Sequence, residues 1–234
     1  MKETIEGIIL NETNYSETSK ILNILTPKYG YISVMSKGCR TIKSRLRGIS
    51  MKLIYGEFTI NYKEKGISNL IEGNLINSLK NIMTDFIIMN YANKCVTIVK
   101  NVLKENNNPD IFYILRDSLL KINERFNPKI IYMILSIKLL DYLGVKPDFN
   151  SCINCCSNDI LTFDLSIPGS ICKNCYQDTY LFQLNTLKLL KLFQVVDISK
   201  IDKLNISNNK ILEELEYFLK EYYDSYTGIY FKIK

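Results

Sequence analysis

Two Cys-x-x-Cys knuckles constrain this chain more than any other stretch. Cys152-Ile-Asn-Cys155 is followed, after sixteen residues, by Cys172-Lys-Asn-Cys175. Pairs at that separation match the spacing of a four-thiolate structural zinc site. A tight turn lets two sulfurs of one knuckle reach one ion, and the second pair completes a tetrahedron at about 2.3 Å per bond. Asn158-Asp159 and Pro168-Gly169 lie between the pairs and are turn formers, so the segment reads as a short hairpin ribbon. Cys156 sits beside Cys155. Only Cys155 gives the two-residue gap, so Cys152, Cys155, Cys172 and Cys175 are the expected ligands of one structural zinc and Cys156 a bystander. The competing reading is two disulfides or four unrelated thiols.

The chain has 234 residues, 47% of them hydrophobic, enough for one good core or two smaller ones. Met1-Lys2-Glu3-Thr4 opens no signal-peptide core, and no apolar run is long enough to span a bilayer. The expectation is a cytoplasmic protein with no membrane association, whose seven cysteines stay reduced. There is no histidine. That removes Ser-His-Asp and Cys-His mechanisms and every imidazole base. Four thiolates also close the coordination position that a catalytic zinc keeps open. The expected protein is therefore not an enzyme.

Residues 1–80 read as β structure. Thr4–Leu10, Lys20–Thr26, Tyr31–Met35, Leu53–Tyr62 and Ile67–Ile76 are short apolar runs separated by turns such as Pro27-Lys28-Tyr29-Gly30. Five short strands fit a small barrel, with the five-stranded OB-fold the leading candidate and an SH3-like barrel its competitor. Between Glu17 and Glu57 there is no acid, while Lys20, Lys28, Lys37, Arg40, Lys43, Arg45, Arg47 and Lys52 all fall inside. The densest part, residues 37–48, reads as a loop. An acid-free basic loop suits a phosphate backbone, although a solvated face looks the same in sequence. Tyr29, Tyr31, Tyr55, Phe58 and Tyr62 lie on or beside the strands and are candidates for base stacking or for core.

Residues 81–234 read as helical, with the ribbon inserted at about 148–180. Thr84 is a candidate cap for a helix to about Leu103, with Phe86, Ile87, Met89, Ala92, Val96 and Val99 apolar. Pro109 and Asn127-Pro128 open two more helices, and Gly144 followed by Pro147 ends the second. Asn185–Val196 and Asn209–Tyr223 complete the bundle, each opening on an Asn that suits a cap. Tyr226–Lys234 alternates as a short extended segment. The fold class is thus α+β: an N-terminal barrel, then a helical domain carrying a four-cysteine zinc ribbon.

Order and motifs together resemble the RecO family of bacterial recombination mediators. The resemblance is carried by Tyr15–Ile21, by Leu25–Gly30 and by the basic loop Lys37-Gly-x-Arg40-x-x-Lys43-Ser-Arg45. Leu143-Gly144-Val145-Lys146-Pro147 before the first knuckle and Pro168-Gly169-Ser170-Ile171-Cys172 at the second also carry it. It spans residues 3 to about 192. Cys39, Thr41 and Ile42 depart from the small, basic and proline residues common in that loop, and Pro168 replaces a glycine. The resemblance implies an OB-fold binding single- and double-stranded DNA, annealing of complementary strands, and loading of RecA with RecR onto strands coated by single-strand-binding protein. It implies cytoplasmic RecF-pathway repair on the nucleoid. Phosphate contact carries over onto Lys37, Arg40, Lys43, Arg45 and Arg47, with Lys20 and Lys52 as further candidates. Lys188 and Lys191, among the leucines of 184–192, are candidates for the acidic tail of single-strand-binding protein. The alternative is a zinc-ribbon adaptor that binds only protein partners in a repair or transcription assembly.

Overall fold

A computed structural model describes residues 1–231 of the chain, which form two compact units, one of Met1–Arg125 and one beginning at Phe126. The change from strand to helix falls near residue 80, whereas the compact units part at 125, so three helices share the first unit with the strands. No helix among the described residues is long and apolar enough to cross a membrane.

In the first unit, β1 (Lys2–Tyr15), β2 (Ser19–Thr26), β3 (Gly30–Ser36), β4 (Tyr55–Asn61) and β5 (Ser68–Asn77) close a barrel in the order β1-β2-β3-β5-β4. Closure depends on the length of β1. Its first half, Lys2 to Ile8, pairs with β4, and its second half, Ile8 to Tyr15, pairs with β2 across an irregularity between Ile9 and Asn11. A short parallel contact, Val34 with Ser68 and Met35 with Asn69, joins β3 to β5 and completes the ring. Inward positions alternate as a half-buried strand requires. They bring Ile5, Ile9, Leu22, Ile24, Val34, Phe58, Ile60 and Leu70 into one core. Ile49, from the loop between β3 and β4, joins that core over Gly73. A Cβ on Gly73 would lie 2.8 Å from Cγ1 of Ile49, so the glycine is what admits it.

Helices α1 (Lys80–Thr84), α2 (Phe86–Glu105) and α3 (Ile111–Asn123) follow in the same unit. Asp85, not Thr84, caps α2: its carboxylate accepts from the backbone N–H groups of Ile87 and Ile88 at 2.9 and 3.1 Å. Thr84 instead donates its hydroxyl back to the Lys80 carbonyl. The buried face of α2 carries Ile88, Ala92, Cys95, Val96, Val99 and Val102, while Phe86 and Ile87, expected in the core, are exposed. Asp110 stands at the cap position of α3, with Pro109 in the opening turn rather than at the first helical position.

The second unit is organised on α4 (Pro128–Tyr142), buried nearly all round. Asn127 accepts from the N–H groups of Lys129 and Ile130, Pro128 occupies the first turn, and Gly144 takes φ 73° where the helix stops. Strands β6 (Asp148–Cys152), β7 (Ile160–Asp164) and β8 (Gly169–Cys172) form a small sheet in the order β6-β8-β7. Helices α5 (Leu184–Val195) and α6 (Asn209–Tyr226) complete the unit. Asn185 does not cap α5. The buried Glu214 of α6 instead anchors the start of α5 from outside, accepting from the Gln183 N–H at 3.0 Å and from the Thr186 hydroxyl. Asn208, one residue earlier than expected, caps α6. Residues 227–231, expected to be extended, belong to no strand, and 232–234 lie outside the described residues.

Candidate metal centre and nucleic-acid interface

The sheet of the second unit brings the two knuckles together. Cys152 ends β6 and Cys172 ends β8, adjacent parallel strands in which Cys152 pairs with Ser170. Each strand then turns through its knuckle and returns a second cysteine, so all four Sγ atoms of Cys152, Cys155, Cys172 and Cys175 lie within 4.8 Å of one another. The edge of a tetrahedron with bonds of about 2.3 Å is about 3.8 Å, inside the observed spread. The Cys155 and Cys172 sulfurs are 3.5 Å apart, well beyond a disulfide bond, and all seven cysteines are free thiols. Cys156 stands outside the cluster, exposed, at φ 59°. Its backbone N–H donates to the Cys152 carbonyl at 2.8 Å and so closes the knuckle turn.

The chemistry of the donor set fits a cation. The Cys172 backbone N–H directed at the Cys152 sulfur, helped by those of Asn154 and Cys155, draws that thiol down to about 6. Hydrogen bonding to the Cys155 and Cys172 sulfurs pushes the Cys175 thiol up to about 12. Cys155, although the Ser157 N–H favours its thiolate, is held above the ordinary thiol range by its sharing with Cys172. Backbone donors thus prepare thiolates, but four such charges cannot crowd together without a counter-charge at their centre. A divalent metal would supply it, and soft sulfur donors in a tetrahedron suit zinc better than hard cations.

The basic loop, residues 37–54, leaves β3 and returns to β4 through successive turns. Apolar side chains hold it down: Cys39, Ile49 and Leu53 are buried, and Leu46 and Ile54 pack against the barrel core. Backbone bonds from Thr41, Ser44 and Arg47 to carbonyls three residues earlier fix its turns. Lys43, Arg45 and Arg47 are exposed, whereas Ser44 and Leu46 between them are half-buried. Lys37 and Arg40 are exposed as well. None of these five cations makes an ion pair among the described residues. Arg40 also pins the neighbouring β1–β2 hairpin: its N–H reaches the Thr18 carbonyl at 2.9 Å and its guanidinium the Ser16 carbonyl at 3.0 Å.

The comparison with known proteins falls on this architecture throughout. The model for "Recombination protein O N terminal" matches residues 1–79, and that for "Recombination protein O C terminal" matches 83–234. The chain belongs to the RecO family. It is 34% identical over 234 residues to DNA repair protein RecO of Bacillus pumilus (strain SAFR-032), covering 98% of this chain and 91% of that one. Against DNA repair protein RecO of Bacillus subtilis (strain 168) it is 34% identical over 235 residues, with the same coverage. The RecO of Halalkalibacterium halodurans is 29% identical over 233 residues.

Other candidates in this RecO-family chain separate on inspection. Lys20 is spent on Glu12, 3.1 Å away, and on the Ser50 carbonyl. Lys52 donates to Asn93 Oδ1 of α2 at 2.7 Å and is half-buried. Phe58 is barrel core, and Tyr55 is buried with its hydroxyl donating to Glu6, so neither faces a base. Tyr29 and Tyr62 stack on one another at 4.0 Å, with Glu3 accepting from the Tyr29 hydroxyl. That pair sits at the Thr26–Gly30 end of the β2–β3 ladder, whereas the loop leaves from the Lys20–Ser36 end. Tyr31 is half-buried on β3 and retains an open aspect. On α5, Lys188 lines a groove of about 420 Å³ with Leu189, Leu192, Leu204, Ile206 and Ile211. Lys191 does not line it and stands near Asp148, whose carboxyl is held low mainly by the Asn150 backbone N–H. Glu214 had no signal in the sequence, because its partners lie about thirty residues away in chain order.

Proposed function

We propose that the chain is a recombination mediator acting in RecF-pathway DNA repair in the cytoplasm, without catalysis of its own. It binds single- and double-stranded DNA through Lys37, Arg40, Lys43, Arg45 and Arg47 and anneals complementary strands. With RecR it promotes RecA loading onto strands coated by single-strand-binding protein. The observation that carries this reading is the loop itself: five cations without carboxylate partners, held outward by a strap of buried apolar residues. Phosphate is the anion such a row accepts, and annealing asks only that two backbones be screened together. The strand order and the parallel β3–β5 closure support reading the barrel as an OB-fold, whose faces commonly bind single strands.

The remaining parts have supporting roles. Cys152, Cys155, Cys172 and Cys175 hold one structural zinc, which ties the two knuckles into a single turn-rich ribbon. Its four thiolates leave no position for substrate. The groove beside Lys188, apolar within and basic at its rim, suits the acidic, apolar tail of single-strand-binding protein. Fluorescent complementary oligonucleotides mixed with the protein alone, and with coated strands, test the proposal across a salt series. Acceleration that disappears at high salt is expected. Absence of acceleration under every condition would favour the adaptor that binds only proteins.

A further inference from the structure

Helix α2 carries a second surface with the character of the basic loop. Between its cap Asp85 and its last residue Glu105 there is no acid. One face is turned outward: Phe86, Ile87, Asn90, Thr97 and Lys104 are exposed, with Lys100 half-buried at its edge. At 100° per residue these positions share one side of the helix, a stripe about 140° wide, while the opposite face is buried. From Phe86 to Lys104 it is about 27 Å long at about 1.5 Å per residue. Phe86 and Ile87 are 83% and 65% exposed, a flat aromatic and an aliphatic at one end of a basic and amide-bearing track. Lys94, over the Tyr91 ring at 4.3 Å, flanks it.

This stripe is continuous with the loop. Lys52, five residues beyond Arg47, spans the gap by donating to Asn93, at the middle of α2. Burial and the neighbouring Lys100 ammonium hold Lys52 below the usual lysine range, and no carboxylate among the described residues pairs with either. Lys52 thus carries positive charge from the loop onto α2.

We propose that the outward stripe of α2 is a second strand site, which takes the phosphate backbone of the incoming nucleic-acid strand while the basic loop holds the first. This rests on the DNA-binding reading above and deepens it. Lys100 and Lys104 meet phosphates, Asn90 and Thr97 meet sugar and phosphate oxygens, and Phe86 stacks on a base at the end of the track. One strand on the loop and one on the helix, joined through Lys52, set two backbones side by side within one compact unit.

The test is Lys94→Gln combined with Lys100→Gln and Lys104→Gln, exchanges that keep helix propensity close to that of lysine. Circular dichroism and melting temperature confirm the fold. Single-strand affinity, read by fluorescence anisotropy on a labelled oligonucleotide, should move less than about threefold, because the loop is intact. Annealing should slow by about tenfold or more, and its logarithmic salt slope should fall by about 1.4, from Lys100 and Lys104 at about 0.7 each. Phe86→Ser should slow annealing without changing that slope. Annealing at the wild-type rate in the lysine variant, beside a loop variant that fails to bind, would overturn the second site and leave the DNA-binding reading intact. A wild-type protein that binds no oligonucleotide would overturn that reading itself. Loss of binding to a protein partner with annealing unchanged would also remove the second strand site.

Discussion

Replacing Lys43, Arg45 and Arg47 together by alanine should flatten the salt dependence of DNA binding by an amount that the geometry sets. All three heads are exposed and carry no ion pair among the described residues, so their removal breaks no internal contact. Arg40 is left in place because its backbone and guanidinium pin the β1–β2 hairpin. Lys20 adds little, being engaged by Glu12, and Lys52 is left in place because it reaches across to Asn93 of α2. If each of the three cations covers one phosphate, the logarithmic salt slope falls by about 2.1 on single strands and about 2.7 on duplex. Raising salt from about 50 to about 200 mM then costs the wild type about 20-fold more affinity than the variant on single strands, and about 40-fold more on duplex. Fluorescence anisotropy titrations at four salt concentrations measure both slopes. A slope change under about 0.5 on both substrates would refute phosphate contact by this loop.

Three further outcomes are expected. Cys155→Ser should abolish the binding of one zinc per chain, whereas Cys156→Ser should keep it, as read by metal release and by the thiolate absorption of a cobalt-loaded sample; equal loss in both would place Cys156 in the metal shell. Zinc affinity should climb as pH rises between about 6 and 9, because the Cys155 and Cys175 thiols, held above their ordinary range, must lose protons to bind; a flat profile in a chelator competition would contradict that. Glu214→Ala should destabilise the second unit by about 3 kcal/mol, since two hydrogen bonds to a charged acceptor are lost and the Gln183 N–H and Thr186 hydroxyl are orphaned; urea unfolding with a loss under about 1 kcal/mol would count against this anchor.

Local signals in the sequence translated well into structure. The five apolar runs became five strands, Asn127-Pro128 opened α4, and Gly144 closed it at positive φ, because each depends on neighbours within a few residues. The cysteine spacing behaved likewise, since a knuckle is a turn and its geometry is local. What failed was decided by distant contacts. The cap of α2 is the local exception: Thr84 belongs to α1 and bonds back to Lys80, which leaves Asp85 to cap. Phe86 and Ile87 have core chemistry but fall on the outward side of α2. Lys20 and Lys52 share the charge of the loop residues, but their contacts with Glu12 on β1 and Asn93 on α2 had no signal in the sequence. Tyr55 and Phe58 could be told from a stacking platform only once the barrel had closed over them.

The aromatic wall between ribbon and bundle has a consequence for how the chain is made. Phe149 and Phe163 of the ribbon pack against Phe218 of α6, with ring centroids 5.7 and 5.1 Å apart, and Phe163 reaches Tyr222 at 6.1 Å. On the ribosome, the first unit emerges whole and can fold as it appears. The cysteines come out next, but the rings that back them emerge only with the final helix. Until then the nascent ribbon shows its phenylalanines to water, and the proposed zinc, once captured, would hold the two knuckles together. If the ribbon takes zinc as proposed, chelation during synthesis should lower the yield of folded protein more than chelation afterwards.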